Sequence, residues 1–328
     1  MAITSMTVKN VLGFHGEGFQ LEFSDGINVM IGQNGTGKTS LLKMIYAATQ
    51  WSNLQTQPEK TSRLGEFFSY QISNEKSLQS AGTQPDFSSF EVSAENERFT
   101  LDISHGGFED TNWVKLNLQS VFIPTTEMLS HSKGFLALNQ KFKLPFDGTQ
   151  IDIIVNASLP ETREVPVALN SILEKISTAI DGIVVQEDDT FYVIKHDGRK
   201  IEFSLEAEGL RKLGLIWKLL RNGLLEPGSI LLWDEPEANL NPELFPLVTE
   251  ILLELQKNDV QIFVATHSYN FAKYLEIRRI DQAQVQFHNL YRNDEGIICS
   301  DSAFRMEDLK PNHIMIADNA LLNEIYDM

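Results

Sequence analysis

Residues 32–39 read GQNGTGKT and match the pattern G-x-x-x-x-G-K-[ST]. The glycines let the backbone wrap closely, so that its N–H groups converge on phosphate oxygens. An apolar strand pattern precedes this loop and a helical pattern follows it, and a helix N-terminus attracts the same anion. We therefore predict a nucleotide-phosphate site rather than a chance glycine-rich loop. The residues predicted to form it are Gly32, Gln33, Asn34, Gly35, Thr36, Gly37, Lys38, Thr39 and Ser40.

Two carboxylates follow a second apolar run, Ile230 to Trp233. Ligands of open α/β sheets bind at the carboxyl ends of buried parallel strands, where these carboxylates fall. We predict that Thr39 and Asp234 ligate Mg²⁺ and that Lys38 contacts the β- and γ-phosphates of ATP. Glu235 is then placed to deprotonate the attacking water. Without the loop at 32–39, an ordinary strand ending in an acidic turn explains this segment equally well.

A histidine ends a third apolar run, in QIFVATHS, 32 residues after Glu235. A neutral imidazole at this strand end can hydrogen-bond the γ-phosphate or the attacking water, so His267 is a third catalytic candidate. The alternative is a structural histidine. A fourth candidate is the segment Ala207, Glu208, Gly209 before a helical stripe of leucines, because a glycine at a helix start can present N–H groups to an anion. The alternative there is an ordinary amphipathic helix.

The amino-acid composition narrows the kinds of molecule that the protein can bind. The 328 residues are 42% hydrophobic and 22% charged, as in globular proteins, and their formal charge is −18. Such acidity disfavours a broad nucleic-acid surface or a polybasic membrane anchor, so DNA contact requires a local basic patch. A single cysteine, Cys299, excludes an intramolecular disulfide or a cysteine zinc site. With no apolar run of about 18 residues and no apolar leader, we expect a cytoplasmic protein.

The elements that must position these residues follow from the hydrophobic pattern. We predict an α/β fold with a mixed sheet, an antiparallel β insertion and a helical lobe. The predicted strands are 6–11, 19–23, 26–31, 67–72, 90–93, 98–103, 113–118, 121–124 and a meander over 183–204, with a turn at 106–107. The predicted helices include 40–50, 165–180 and 319–328, and helices and strands alternate from residue 206.

The four motifs, in this order, resemble those of the ABC-type ATPase superfamily, in its Rad50/SMC/RecF branch. Residues 32–39 are similar to Walker A and Asp234-Glu235-Pro236 to Walker B. Residues 238–242 resemble the D-loop, 266–268 the switch-histidine loop and 207–209 the signature motif. The resemblance implies one ATPase domain of two lobes. Its parts are a Walker A lobe (1–50), a β-rich insertion (51–124), a helical and β lobe (125–205), a signature, Walker B and switch core (206–290) and a C-terminal segment (291–328).

More narrowly, residues 122–128, 208–212 and 233–242 resemble the compact overcome-lysogenization-defect type of ATPase found in bacterial anti-phage systems. This implies a homodimer, or a larger oligomer built from dimers, that holds ATP and Mg²⁺ between the Walker A loop of one subunit and the signature of the other. The nuclease relatives carry a second, metal-dependent domain with its own acidic cluster. We expect this chain to rely on a separate effector protein, namely such a nuclease.

Three positions depart from the family pattern or extend it. Ala207 stands where a serine usually faces the γ-phosphate, so Gly209, Arg211 or Lys212 is expected to make the contact across the dimer. No glutamine follows residues 121–124, and Thr125 or Glu127 is the candidate replacement. Lys9 and Asn10 match a basic–Asn pair that contacts phosphate in related proteins; a solvated strand end is the alternative.

Two other functions stay open from the sequence. One is a scaffold that retains ATP and turns it over slowly, which the loss of the hydroxyl at Ala207 favours. The other is a RecF/SMC-like DNA repair ATPase, for which the cations Arg211, Lys212, Lys218 and Arg221 lie along one predicted helix. An ABC transporter subunit is a further alternative, although the residues of the motifs are more similar to those of the soluble Rad50/SMC/RecF branch.

Overall fold

A computed structural model of the chain describes residues 2–16, 18–53, 65–69, 78–80, 88–95, 97–102, 109–110 and 118–326. The strands in these ranges are β1 (Ile3–Lys9), β2 (Phe19–Glu22), β3 (Ile27–Gly32), β4 (Ser89–Ala94), β5 (Glu97–Asp102), β6 (Glu109–Asp110), β7 (Ser120–Ile123), β8 (Gly182–Glu187), β9 (Thr190–Lys195), β10 (Lys200–Glu202), β11 (Ile230–Asp234), β12 (Gln261–Ala265), β13 (Val285–Arg292) and β14 (Ile298–Ala303). The helices are α1 (Lys38–Asn53), α2 (Phe135–Phe142), α3 (Gly148–Ala157), α4 (Val167–Ala179), α5 (Glu208–Arg221), α6 (Phe245–Lys257), α7 (Tyr269–Arg278) and α8 (His313–Tyr326).

The main sheet has six strands in the order β14-β13-β3-β12-β11-β7, and only the edge strand β14 runs antiparallel to its neighbour. Every residue of β3, β11 and β12 is buried, as expected for strands covered on both faces. Alternate residues of β11 enter two different cores: Leu231 and Trp233 pack with α5 and α6, whereas Ile230 and Leu232 pack with α1. The carboxyl ends of β3, β11 and β12 therefore meet at one edge.

A second, antiparallel sheet has the order β2-β1-β4-β5-β6, so the predicted insertion strands extend the N-terminal hairpin. The predicted strand at 67–72 is wrong over its described part, because residues 65–68 form a helical turn. There Phe67 is buried with its ring 5.3 Å from that of Tyr46, and burial of aromatic side chains suits either kind of element. Residues 70–72, the turn at 106–107 and residues 113–117 lie outside the described ranges.

The third unit consists of α2, α3, α4 and the three-stranded meander β10-β9-β8, of which α3, α4 and β8 contact α5. The predicted helix at 165–180 and the meander after it are found, so the α/β class with a helical lobe is confirmed. The C-terminal helix begins at His313, six residues before its predicted start. Its Leu321, Leu322 and Ile325 are exposed. None of the helices in the described ranges is long and apolar enough to cross a membrane.

Candidate nucleotide site

The predicted phosphate loop connects β3 to α1 and is held from both sides. Its Gly32 has φ +132°, and a Cβ there would lie 2.0 Å from the backbone oxygen of Leu290 in β13. Its Gly37 has φ +88°, and a Cβ there would lie 2.6 Å from the ring of Phe14. Both positions therefore require glycine, because a side chain would collide with its neighbour and strain the backbone.

The Lys38 side chain folds back over this loop. Its Nζ donates hydrogen bonds to the backbone oxygens of Gly32 and Gln33, each at 2.9 Å. Burial lowers the pKa of Lys38 to about 8, against the attraction of the carboxylates of Glu235, Asp234 and Glu237. The amine thus donates only to neutral backbone oxygens, and phosphate oxygens, which form stronger hydrogen bonds, can replace them.

The structure brings Thr39 and Asp234 together although 195 residues separate them. The Thr39 hydroxyl lies 3.1 and 3.0 Å from the two carboxylate oxygens of Asp234, and the Thr125 hydroxyl donates to the second at 3.0 Å. Burial raises the pKa of Asp234, and the bonds from Thr39 and Thr125 oppose that rise. A carboxylate and two hydroxyl oxygens are ligands suited to Mg²⁺. Of the two candidates to replace the missing glutamine, Thr125 therefore lies beside Asp234.

Glu127, the other candidate, is used elsewhere. Its Oε1 accepts the backbone N–H of Leu129 at 2.5 Å, and its Oε2 lies 3.3 Å from Arg211 Nη1. Glu127 therefore connects the segment after β7 with α5 and is not beside Asp234.

The structure also brings together the predicted base and the predicted histidine. Glu235 Oε1 lies 3.4 Å from His267 Nε2, and about a third of each side chain is exposed. Burial, followed by repulsion from Lys38, lowers the pKa of His267, so the imidazole is neutral at pH 7. The backbone of Glu235 is left-handed, with φ +50°, and its N–H donates to Ala265 at the end of β12. The carboxylate thus projects at the edge where β11 and β12 end.

Sequence reasoning missed Glu237. Its Oε1 accepts the Thr266 hydroxyl at 2.6 Å and the His267 backbone N–H at 3.1 Å. Burial raises the pKa of this carboxyl, while the bond from Thr266 lowers it. Glu237 therefore fixes the loop after β12 to the turn after β11. The available signal was a third acidic residue directly after Pro236.

Arg292 was also missed. This residue ends β13, and its guanidinium donates to the backbone oxygens of Gly35 at 2.9 Å and Gly296 at 2.7 Å. It therefore ties the phosphate loop to the β13–β14 hairpin. Nothing in its local sequence distinguishes it from an ordinary charged residue at a strand end.

The predicted signature residues form the start of α5. Ala207 caps the helix without a side-chain hydrogen bond, and Glu208 Oε1 accepts Asn239 Nδ2 at 2.9 Å. Gly209 packs closely on Leu240, since a Cβ there would lie 3.0 Å from Leu240 Cδ1. This end of α5 therefore rests on the predicted D-loop.

The four cations of α5 do not form an open basic patch. Arg211 lies 3.3 Å from Glu127, and Lys218 and Arg221 contact Glu161 at 3.0 and 2.8 Å. Lys212 is 2% exposed, which argues against its reaching a nucleotide across a dimer. Internal pairing of these charges disfavours the DNA-binding alternative.

Lys9 is the last residue of β1, and Asn10 begins the loop that packs on Gly37 through Phe14. Lys9 is exposed and runs beside Gly18, and Asn10 Oδ1 accepts the Gly16 N–H at 3.2 Å. Their contact with phosphate stays a prediction.

The chain is similar to known proteins in sequence and in fold. A sequence profile for the family described as "AAA domain, putative AbiEii toxin, Type IV TA system" matches residues 128–272. The L-cystine import ATP-binding protein TcyN of Bacillus subtilis (strain 168) is 42% identical over 70 residues. That match spans 21% of this chain and 23% of the relative's length.

The fold is similar to that of SMC head domains. A head bound to the C-winged helix domain of ScpA superposes with a TM-score of 0.59 at 13% identity, over 92% of this chain and 98% of that chain. The head from Thermotoga maritima gives 0.50 at 18% identity, over 92% and 99%. A head with an extended coiled coil, bound to the ScpA C-terminal domain, from Pyrococcus furiosus gives 0.52 at 12% identity, over 99% of both chains. The chain thus has the fold of an ABC/SMC-like P-loop ATPase head.

Proposed function

We propose that this protein binds ATP with Mg²⁺ at the edge formed by β3, β11 and β12, and hydrolyses it. The observation that carries the proposal is the pair of short contacts between the Thr39 hydroxyl and the Asp234 carboxylate beside the amine of Lys38. This is the arrangement in which a hydroxyl and a carboxylate share a divalent cation next to a phosphate-binding lysine.

The chain's own residues then divide the work. Thr39 and Asp234 would hold Mg²⁺, which would supply neutralisation of charge on the nucleotide phosphates. Lys38 exchanges its backbone partners for phosphate oxygens, and the loop N–H groups fix the phosphates in place. Glu235 accepts a proton from the attacking water, and neutral His267, at 3.4 Å, orients that carboxylate.

The decisive experiment replaces Glu235 by Gln. The amide keeps the shape of the side chain but cannot accept the proton, so kcat is expected to fall by about 100-fold or more while ATP still binds. Lys38→Ala serves as the control, because it is expected to abolish binding itself. Wild-type turnover in E235Q contradicts the assignment of the base.

The same proposal extends to a homodimer. Residues 207–209 lie at the start of α5 and the phosphate loop at the edge of the sheet, as expected if two copies enclose ATP between these segments. Since Ala207 has no hydroxyl, the contact across the interface falls to backbone N–H groups of this helix end. The same loss favours the second candidate, a scaffold that retains ATP. Tight retention of ATP without turnover distinguishes the scaffold from the enzyme.

We further propose that the ATPase controls a separate effector, a nuclease, in bacterial anti-phage defence. The description of the matching family as a putative toxin supports a role in such conflict. Two of the three similar SMC heads were solved with a bound ScpA domain, which supports a partner protein. Purification of the tagged protein from its native cells tests this. A co-purifying nuclease supports the proposal, and a membrane-embedded subunit contradicts it.

A further inference from the structure

Lys212 is a buried cation that faces the turn between β11 and the predicted D-loop. Its side chain leaves the first turns of α5 and is 2% exposed. The ammonium donates to the backbone oxygen of Ala238 at 2.6 Å and to that of Glu235 at 3.2 Å. Among the described residues, no carboxylate oxygen lies within 4.0 Å of Nζ. Its close partners are therefore neutral carbonyls.

Placing the charged amine of Lys212 in the interior of the protein costs free energy. Burying an ammonium is unfavourable, and hydrogen bonds to carbonyl acceptors offset only part of the lost hydration. Burial lowers the pKa of Lys212, against the attraction of Glu208 and more distant carboxylates. An apolar residue would fill the same space without this penalty. What distinguishes Lys212 from an apolar residue at this position is its pair of hydrogen bonds to backbone carbonyls.

The backbone that Lys212 holds is itself strained. Glu235 has φ +50° and Asn239 has φ +59°. Asn adopts this left-handed conformation readily, whereas for Glu it is strained and needs support from its surroundings. The two acceptors of Lys212 bracket this turn. On the other side, the N–H of Glu235 is fixed by Ala265 at 2.8 Å. Both peptide groups of the proposed base are thus held by hydrogen bonds.

We propose that Lys212 is a positioning residue for hydrolysis: its ammonium fixes the left-handed backbone of Glu235 and so aims the carboxylate at the water. The inference rests on the proposed ATPase function and deepens it. Its two hydrogen bonds also link the first turns of α5 to Glu235 and to Ala238. A shift of the segment 207–209 on dimer closure then moves the base.

The test compares Lys212→Met with Lys218→Met. Lys218 lies on the same helix and is 5% exposed, but its amine contacts Glu161 at 3.0 Å and no residue of the site. K212M is expected to lower kcat by about 10- to 100-fold with the Kd for ATP changed by less than about threefold, since misplacing a catalytic group by an ångström has that effect. K218M is expected to lower the melting temperature while kcat stays within about twofold.

Two further variants separate positioning from stability. In an E235Q background, K212M is expected to produce no additional loss of the residual turnover, because its effect passes through Glu235. Lys212→Arg keeps a buried cation with a different donor geometry, so it is expected to fold and to lower kcat by an intermediate factor.

Each outcome decides between the two proposals. Wild-type kcat in K212M and K212R overturns the positioning role, as does an equal loss of kcat in K218M or an undiminished effect in the E235Q background. If the wild-type protein itself fails to hydrolyse ATP, the proposed function falls and the inference with it. Hydrolysis by the wild type together with an unaffected K212M removes the inference alone.

Discussion

Three carboxylates within four residues have three different surroundings. Asp234 is buried and accepts hydrogen bonds from two hydroxyls, whereas Glu235 is partly exposed beside His267. Glu237 is bound to the loop after β12. The backbone of Glu235 is left-handed, unlike that of Asp234 before it. The proposed metal binding, the proposed proton transfer and the observed fixation of the loop therefore fall to separate residues.

Glu237 supplies the first test at the residue scale. Glu237→Gln keeps a carbonyl oxygen for Thr266 and for the His267 N–H, whereas Glu237→Ala removes it. We expect E237A to lower kcat by about 10-fold through displacement of His267, and E237Q to stay within about threefold of the wild type. Steady-state ATP hydrolysis measures both. An E237Q variant as impaired as E237A contradicts the role of this acceptor.

His288 makes stability depend on pH. This side chain is fully buried between Ser302 (2.8 Å) and Asn28 (3.2 Å), and burial lowers its pKa to about 3. The unfolded chain binds a proton near pH 6.5 while the folded chain does not, so the stabilisation is present above pH 6.5 and is lost as the pH falls toward 3.

Comparison with His288→Gln isolates this effect. Between pH 7 and pH 5 the unfolding free energy of the wild type is expected to drop by about 2 kcal/mol more than that of H288Q. Denaturant titrations at the two pH values give the difference. Parallel losses in the two proteins contradict the buried, neutral histidine.

The site was only partly predictable from the sequence, and the reason is physical. Asp234 and Glu235 lie at the end of one apolar strand, and Lys38 and Thr39 follow the glycine-rich loop after another. The pattern that predicts each strand therefore also locates these candidate residues. Glu237 and Arg292 act through contacts with segments far along the chain. Only the folded sheet brings Arg292 to Gly35, 257 residues away. The spacing of residues along the sequence therefore could not predict the contacts of Glu237 and Arg292.

At the scale of elements, α3 begins with a capping box. Asp147 accepts the N–H groups of Thr149 and Gln150, while the Gln150 side chain accepts the N–H of Asp147. The second carboxylate oxygen of Asp147 lies 2.7 Å from the amine of Lys43, on α1. This side chain thus joins the helix that follows the phosphate loop to the helical lobe.

Two substitutions of Asp147 separate these contributions. Asp147→Asn keeps a good cap and loses the charge pair, whereas Asp147→Ala loses both. We expect D147A to be less stable than D147N by about 1 kcal/mol, the usual contribution of an N-cap. Chemical denaturation measures the difference. Equal stabilities show that the cap contributes nothing beyond the ion pair.

Helices and strands were predicted best where a single sequence pattern was strong. The apolar runs of β3, β11 and β12 and the periodic stripe of α5 need no tertiary information. The segment near Phe67 failed because buried aromatic residues occur in both strands and helices, and only packing against Tyr46 decides between them. The edge strand β14 was missed, since its pattern of half-buried polar residues resembles a loop.

At the scale of the whole molecule, charge bears on assembly. Each copy has a formal charge of −18, so two copies repel each other at low ionic strength. We expect E235Q with ATP and Mg²⁺ to form dimers, and raising salt from about 50 to 300 mM to strengthen them by screening this repulsion. Light scattering after size exclusion measures the mass. A K38A/E235Q double variant is the control and is expected to stay monomeric.

The strand order has a consequence for the nascent chain. The central strand β3 pairs with β12 and β13, and its Ile27 finds a partner at Val285, 258 residues later. Until that stretch leaves the ribosome, the phosphate loop has no β13 beside it and no Arg292 to hold it. Such long-range pairing forms late. A polypeptide interrupted before β13 is made therefore leaves one edge of the apolar strand β3 unpaired, and chaperones would have to shield it.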